Sequence, residues 1–480
     1  MKKIISIVLA SVIVSSGVLF SACEDKGVKT EPGTKATTDN VTTAEEEKWP
    51  DRDCDGAKLK ILVRDDQLYD FEIIKDSDDP IDIALDTRNN WLEDKYKFSI
   101  EYHDVPRADY ITNARTFIQS GSDEYNFFIG PGANLSTLAQ EGSLLDLASL
   151  SNIDLSKPWW DKCATRDLSI ANRVFMTTGA LQTCDIGGTY NIFFNKVALE
   201  ENNLENPYEL VYNNKWTLDK FWSMCKGVQK DLNDDGKLTE TDQFGYVCEN
   251  YDGYAMFFAS GETIVGKDDK DLITLTVYND RASEVVSKLN EFYTDECTFV
   301  NSAAIIKPII ADGRAVFCGT ILAALPTYRA MEDDFGILPL PKYEDTQENY
   351  VTPVSSGMTG SLVGIPNNVE NPELTSFMVE MMTRKSLDTL RVAYYDVVAK
   401  NQSMRDEDSV KMLDIIIGSR VFDPYFINTW VDNTWYYFFA WHVAEMPNNV
   451  QFSSQYDKQK DATEKAIQNT IDTYMSYIEG

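Results

Sequence analysis

Short apolar runs alternate with amphipathic segments along most of the chain. Five runs rich in branched and aromatic residues predict β-strands, at residues 59–63, 98–102, 127–129, 190–194 and 315–318. Between residues 81 and 96, apolar side chains recur at helical spacing and predict an amphipathic helix. Strands that alternate with helices are typical of α/β proteins, so we expect an α/β fold.

Two further segments have the apolar face of a buried helix. Thr217 is suited to cap the first helix, because its hydroxyl can accept from first-turn amides. The apolar face of that helix consists of Leu218, Phe221, Trp222 and Cys225. The second helix follows Asn371 and Pro372, and its face consists of Leu374, Phe377, Met378, Met381 and Met382. This spacing predicts core packing for both faces rather than a methionine ligand site.

Length and charge narrow the class of protein. Beyond the polar N-terminal segment, about 430 of the 480 residues remain, which is too many for one hydrophobic core and suits two large lobes. The formal net charge of −33 argues against nucleic acid or an anionic membrane surface as a partner. His103 and His442 are the only histidines, so neither a His-ligated zinc site nor a His-based triad is expected. The sequence also lacks a nucleophile elbow, a Walker loop, HExxH and GxGxxG.

The N-terminus has the pattern of an export signal that ends at a cysteine. Lys2 and Lys3 precede a mostly apolar run, and the small residues Ser21 and Ala22 precede Cys23. This resembles a bacterial lipoprotein signal; the alternative is an ordinary signal peptide that contains a cysteine. We expect a signal peptide over residues 1–22 and a disordered tether over residues 23–50, since that segment has few apolar residues. Diacylglycerol and an amide-linked acyl chain on Cys23 would anchor the protein to the extracellular face of the cell membrane.

Several motifs occur together in an order that is typical of one protein family. They lie at residues 138–147, 190–196, 215–221, 312–317, 335–341 and 371–373. In this order the segments resemble the extracellular solute-binding proteins of carbohydrate-type ABC transporters. The resemblance implies a two-lobe, type II periplasmic-binding-protein-like fold whose lobes are joined by crossing hinge strands. The expected lobes are residues 51–186 plus 305–365, and residues 187–304 plus 366–480.

The same resemblance implies a function. A monomeric, membrane-anchored receptor would bind a small solute, expected to be an oligosaccharide, and deliver it to ABC permease subunits by hinge closure, without catalysis. Two alternatives stay open from the residues: a secreted carbohydrate-active enzyme and a glycan-binding surface adhesion module. Turnover of a glycan on prolonged incubation would favour the enzyme.

An acidic loop over residues 231–242 has the spacing of a calcium-binding loop. Side-chain oxygens stand at loop positions 1, 3, 5 and 12, a glycine at position 6, and position 7 offers a backbone carbonyl. The predicted ligands are Asp231, Asn233, Asp235, Lys237 and Asp242. The alternative is an acidic, solvated turn. A bound Ca²⁺ would brace the loop structurally.

Cys225 and Cys248 flank this acidic loop and could be joined across it. Eight cysteines are present, and none forms a CxxC pair. Modification of Cys23 would leave an odd number, which favours free thiols at Cys225 and Cys248.

Polar residues at strand ends and clustered aromatic residues are the candidate solute ligands. The polar candidates are Arg64, Asp65, Asp66, Asn134, Asp185, Ser355 and Ser356. The aromatic candidates are Trp159, Trp160, Trp430, Tyr436 and Tyr437, with Trp430 as the first choice. Neighbouring side chains diverge on a helix or strand, so one of Trp159 and Trp160 should meet solvent, a cleft or the other lobe. Trp435, Phe438 and Phe439 share one helical face and are expected to pack in the core.

Overall fold

Two β-sheets carry the strands that the sequence predicts. The computed structural model describes residues 48–328, 331–355, 357, 360–395, 406–445 and 451–477; Cys23 and Ser356 lie outside these residues. The strands are β1 Lys58–Arg64, β2 Ser99–Val105, β3 Phe127–Pro131, β4 Tyr190–Asn195, β5 Phe244–Cys248, β6 Val265–Lys267, β7 Ile273–Leu275, β8 Thr298–Val300, β9 Ala315–Ile321, β10 Phe335–Leu338, β11 Thr352–Pro353, β12 Ser361–Gly364 and β13 Arg420–Val421. All five predicted strands are confirmed, and their ends differ from the predicted ends by a few residues at most.

Helices surround the sheets and confirm the α/β class. They are α1 Pro80–Tyr96, α2 Tyr110–Ser120, α3 Gly132–Gln140, α4 Lys162–Leu168, α5 Cys184–Gly187, α6 Lys196–Glu201, α7 Pro207–Tyr212, α8 Leu218–Cys225, α9 Asp252–Ala259, α10 Asp280–Tyr293, α11 Ala303–Ala311, α12 Pro372–Leu387, α13 Leu390–Tyr395, α14 Glu407–Gly418, α15 Pro424–Ile427, α16 Thr434–Tyr437 and α17 Phe452–Ser476. As predicted, the Thr217 side chain caps α8, where it accepts from the Lys220 amide at 3.3 Å. Among these helices, none is long and apolar enough to cross a membrane.

The second sheet brings three parallel strands to one edge. The first sheet has the order β12-β3-β1-β2, and the second has the order β10-β4-β9-β5-β8. Strand β5 is parallel to β8 and β9, so the carboxyl ends of these three strands share an edge. Strand β4 runs antiparallel to β9 and pairs Tyr190 with Ile321 at that edge. The fold therefore places the start of β4 beside the ends of β5, β8 and β9.

The sheet order bears on the expected lobe boundaries. Strands β9 and β10 both pair with β4 in the second sheet, whereas the expected boundaries placed residues 305–365 with the first lobe. The antiparallel ladders on both sides of β4 hold β9 and β10 there. Residues Pro50–Gly480 form one unit, and the exact division into lobes stays a prediction.

Most residues of the predicted apolar helix faces lie in the core, whereas Trp222 and Leu374 are half-buried. Phe221 and Cys225 of α8 are fully buried, and Met378 and Met382 of α12 are at most 1% exposed. Next to α8, the indole Nε1 of Trp216 donates to the Pro339 carbonyl at 2.9 Å. Six buried cysteines are free thiols, as expected for Cys225 and Cys248: Cys54, Cys184, Cys225, Cys248, Cys297 and Cys318.

Candidate functional site

A cavity of about 390 Å³ lies beyond the carboxyl ends of β5, β8 and β9. Its lining residues are Tyr190, Glu249, Tyr251, Asp252, Ala303, Ile306, Lys307, Gly319, Thr320, Ile321, Ala323, Ala324, Thr327, Tyr328, Ser355 and Tyr436. This volume lies in the range of roughly 300–1,000 Å³ that is usual for small-molecule sites. The carboxyl edge of parallel strands is also the usual place for ligands in open α/β sheets.

Three tyrosines form one wall of the cavity. Tyr436 stacks on Tyr251, with ring centroids 5.8 Å apart and planes 18° apart. On another side Tyr436 stacks on Phe426 at 4.3 Å, which fixes the plane of its ring. Tyr190 lines the cavity together with Tyr436 and Ser355. Burial raises the pKa of both Tyr190 and Tyr436, so these phenols stay neutral.

A buried carboxylate forms the floor of the cavity. Asp252 Oδ2 accepts from the hydroxyls of Tyr246 at 2.5 Å and Tyr293 at 2.6 Å. In the described part of the chain, Asp252 Oδ1 has no hydrogen-bond partner. Burial raises the pKa of Asp252 to about 6. A Cβ on Gly319 would lie 2.5 Å from Oδ1, so glycine is required where β9 passes this carboxylate.

Two more charged residues stand at the cavity edge. Glu249 follows β5, and its Oε1 accepts from the Ala303 amide at the start of α11 at 3.2 Å. Lys307 lies one turn further along α11 and also lines the cavity. The site therefore combines flat aromatic faces with carboxylates and an amine, which is a set that can bind a polyhydroxylated solute.

Of the predicted solute ligands, Ser355 and Tyr436 line this cavity. Trp430 does not: it is buried, and its Nε1 donates to Thr470 Oγ1 of α17 at 2.9 Å. Trp435, Phe438 and Phe439 are buried, as expected. The role of Ser355 and Tyr436 in solute binding stays a prediction.

The other polar candidates lie outside the cavity lining. Arg64 Nε and Nη2 donate to the two oxygens of Asp66, each at 2.6 Å. These bonds hold the pKa of the Asp66 carboxyl below its usual range. Asp185 is buried, and its Oδ2 accepts from Arg420 Nη1 at 3.0 Å. Asn134 lies half-buried in α3.

Trp159 and Trp160 are both buried, so neither meets solvent, and both contact helix α12, which the expected boundaries assign to the other lobe. Trp159 Nε1 donates to Glu380 Oε1 at 2.9 Å, and Trp160 Nε1 donates to Glu380 Oε2 at 2.8 Å. The two residues lie outside regular helix and strand, so the divergence of neighbouring side chains does not separate them. One carboxylate on α12 satisfies both indoles.

The acidic loop is held by its own side chains. Asp231 Oδ2 accepts from the Gly236 amide at 2.7 Å, and Asp235 Oδ1 accepts from the Lys237 amide at 2.9 Å. Asp242 accepts from the amides of Leu232 and Thr239, which lowers the pKa of its carboxyl. Among the described residues, no group of three or more His, Cys, Asp or Glu side chains is placed to hold a metal ion. Calcium binding by Asp231, Asn233, Asp235, Lys237 and Asp242 stays a prediction.

Sequence reasoning missed Tyr190, Glu249, Tyr251, Asp252 and Lys307. Glu249 directly follows the apolar run of β5. Assigning that run as a strand would place Glu249 to Asp252 at a strand end. Tyr190 belongs to a motif that the sequence analysis treated only as part of the fold. No pattern in the sequence indicates that Lys307 meets the residues after β5.

Comparisons with known proteins support the fold. The chain resembles ABC substrate-binding protein Lmo0181 from Listeria monocytogenes in complex with cycloalternan, at 14% identity and a TM-score of 0.53, over 88% of this chain and 100% of the other. It also resembles the cyclic α-maltosyl-1,6-maltose binding protein from Arthrobacter globiformis, at 13% identity and a TM-score of 0.58, over 86% and 99%. A third structure is the maltodextrin-binding domain MalE from Bdellovibrio bacteriovorus bound to maltotriose, at 12% identity and a TM-score of 0.52, over 88% and 100%.

These neighbours have the expected type II periplasmic-binding-protein-like fold, and the described part of this chain shares it. No protein with a curated description matches the chain in sequence. A family model described as bacterial extracellular solute-binding protein matches residues 90–415, which is more than half of the 480 residues. The chain therefore belongs to the family of bacterial extracellular solute-binding proteins.

Proposed function

We propose that this protein binds an oligosaccharide in the cavity beyond β5, β8 and β9 and delivers it to an ABC permease. The observation that carries the proposal is the pairing of a tyrosine wall with the Asp252 carboxylate at one edge of a sheet. Aromatic faces pack against the C–H faces of sugar rings, while carboxylates, amines and hydroxyls bind sugar hydroxyl groups. The saccharide ligands named for the structural neighbours are consistent with this solute class.

Delivery rests on closure of the protein around the solute. Ser355 and Tyr436 come from segments far along the chain from Tyr190 and Asp252, and all four line one cavity. A solute that contacts all of these segments favours the closed arrangement by its higher affinity for it. No bond in the solute is made or broken in this mechanism, so prolonged incubation with saccharides should yield no product. Turnover would contradict a receptor role.

Binding is tested by a thermal-shift screen with mono- and oligosaccharides, followed by calorimetric titration of each hit. A solute that binds only the folded protein raises its melting temperature. Tyr251→Ala removes part of the cavity wall and should weaken binding about tenfold, which is roughly 1.4 kcal/mol. The matched control is Tyr212→Ala, because Tyr212 is an exposed tyrosine on α7 outside the cavity. If no saccharide stabilises the protein, the carbohydrate assignment fails.

The proposal includes a lipid anchor at Cys23. An anchored receptor stays near its permease, which raises the effective concentration without any new contact. In membrane and medium fractions of expressing cells, the wild-type protein should partition with the membrane. Cys23→Ala should release the protein into the medium or change its processing. Full membrane retention of Cys23→Ala would contradict lipid anchoring.

A further inference from the structure

An aromatic pair, half-buried Tyr437 and exposed Trp441, lies outside the cavity lining. Tyr437 is the last residue of α16, and Trp441 lies in the π-helical turn Phe438–Val443 that follows. Their rings are stacked, with centroids 4.8 Å apart and planes 20° apart. Trp441 is 43% exposed, the highest exposure among the large apolar side chains of this aromatic segment. The stack therefore leaves a large part of the Trp441 indole open to solvent.

The stacked pair is continuous with the cavity wall. Tyr437 packs edge-on against Tyr436, with centroids 5.3 Å apart and planes 74° apart. Tyr436 lines the cavity together with Tyr251, which is itself 36% exposed. Tyr251, Tyr436, Tyr437 and Trp441 thus form an unbroken series of ring contacts, here called the aromatic path. It leads from the cavity to the outer surface.

Polar groups border the aromatic path. Asn250 Nδ2 donates to Glu445 Oε1 at 2.7 Å. Asn250 directly precedes Tyr251, and Glu445 lies four residues after Trp441, about one helical turn away. An amide and a carboxylate beside exposed rings can bind the hydroxyl groups at the edge of a sugar ring while its C–H face packs on the aromatic surface.

Core packing does not account for the position of Trp441. In the same segment Trp435, Phe438 and Phe439 fill the core, and each is at most 2% exposed. Trp441 is 43% exposed, and its ring stacks on Tyr437. A single exposed aromatic side chain is unremarkable on a protein surface, but a stacked pair that continues a cavity wall is typical of a binding surface.

We infer that the aromatic path is a second saccharide subsite and that the solute is a chain of sugar units. One end of the chain occupies the cavity, and later units lie over Tyr437 and Trp441. This inference rests on the proposed function. It adds that affinity grows with chain length, because each further unit along the path gains aromatic contact. A receptor for single sugars would have no use for the outer stack.

The experiment is a calorimetric titration with homologous saccharide series, from the monosaccharide to the hexasaccharide, in malto-, xylo-, manno- and cello-linkages. In the wild-type protein, affinity for the bound series should rise with length. Trp441→Ala should weaken binding of the longer members about three- to tenfold and leave the shortest bound member unchanged. Trp441→Phe should keep most of the affinity, since it keeps a ring. Tyr212→Ala should match the wild type at every length.

Each outcome separates the inference from the proposed function. Absence of binding by any saccharide overturns both. If the wild type binds with an affinity that does not depend on length, or if Trp441→Ala keeps the full gain with length, the inference fails and the receptor function stands. An equal loss for short and long members in Trp441→Ala would place Trp441 in the cavity site itself and would also overturn the inference. Folding of each variant is checked by its melting temperature without saccharide.

Discussion

Trp159 and Trp160 differ sharply from Tyr437 and Trp441, although each is a pair of aromatic residues that a sugar site could use. Trp159 is 7% exposed and Trp160 2%, whereas Trp441 is 43% exposed. The first pair satisfies both of its indole N–H groups inside the protein, on the two oxygens of Glu380. The second pair forms a stack that continues a cavity wall. Aromatic content alone therefore does not mark a ligand site.

The difference lies in what the surrounding elements supply. Helix α12 carries Glu380 between apolar residues of its buried face, so a carboxyl group stands where two indoles can reach it. A buried N–H without a partner is costly, and a shared acceptor removes that cost for both tryptophans. Around Trp441, the core-facing positions of the segment are already filled by Trp435, Phe438 and Phe439.

The largest expected difference in stability is between variants that each lack one ring of one pair. Trp160→Ala leaves a large cavity and an incompletely bonded Glu380, so the free energy of unfolding should fall by about 3–5 kcal/mol. Trp441→Ala removes an exposed ring and should change it by no more than about 0.5 kcal/mol. Both values come from urea unfolding at fixed pH. Equal losses in the two variants would mean that the two pairs do not differ as described.

A smaller effect is expected from the shared acceptor. Glu380→Gln keeps one acceptor oxygen but turns an NH₂ donor towards the other indole N–H. The free energy of unfolding should therefore fall by about 1–3 kcal/mol. The control is Glu445→Gln, because Glu445 is exposed and accepts a single bond from Asn250. That variant should stay within about 0.5 kcal/mol of the wild type.

The pH dependence of stability is a second test of the role of Glu380. Burial raises the pKa of Glu380 from its usual 4.5 to about 7. Because the folded protein holds this proton more tightly than the unfolded chain, the stabilisation is complete below about pH 4.5 and is lost as pH rises to about 7. Wild-type stability relative to Glu380→Gln should therefore decrease over that range, by at most about 1.4 kcal/mol per pH unit, and level off above it. A difference that does not change with pH would contradict a raised pKa.

The sequence predicts the periodic parts of this fold and not the contacts between distant segments. Strand β1 and helix α8 follow from local patterns, because burial on one face imposes a regular spacing of apolar residues. The Thr217 cap is equally local. Each of these features depends on residues within a few positions of one another, which is the range that a sequence pattern covers.

The site depends on residues that are far apart in the chain. Trp159 meets Glu380 across 221 positions, and Trp430 meets Thr470 across 40. Whether an aromatic side chain ends in the core or at a cavity is decided by these partners, so Trp430 could not be told from Tyr436 by sequence alone. The rule that ligands bind at strand ends indicates Arg64, Asp66 and Asn134 beside the first sheet, whereas the cavity lies at the second sheet.

The smallest expected effect concerns the acidic loop. As with the two aromatic pairs, the question is whether its side chains bind a ligand or only other groups of the protein. Asp231 and Asp242 accept backbone N–H groups that hold the loop, so we expect Ca²⁺ to add little to its stability. We expect millimolar Ca²⁺ to stabilise the protein by about 1 kcal/mol or less, a rise of at most a few degrees in Tm. Asp235→Asn keeps the oxygen that accepts from the Lys237 amide but removes a charge, and it should abolish the Ca²⁺-dependent rise. Equal melting temperatures of the wild type in Ca²⁺ and in EDTA would contradict calcium binding. The loop would then be a turn whose polar side chains bond only within the protein, as Trp159 and Trp160 do.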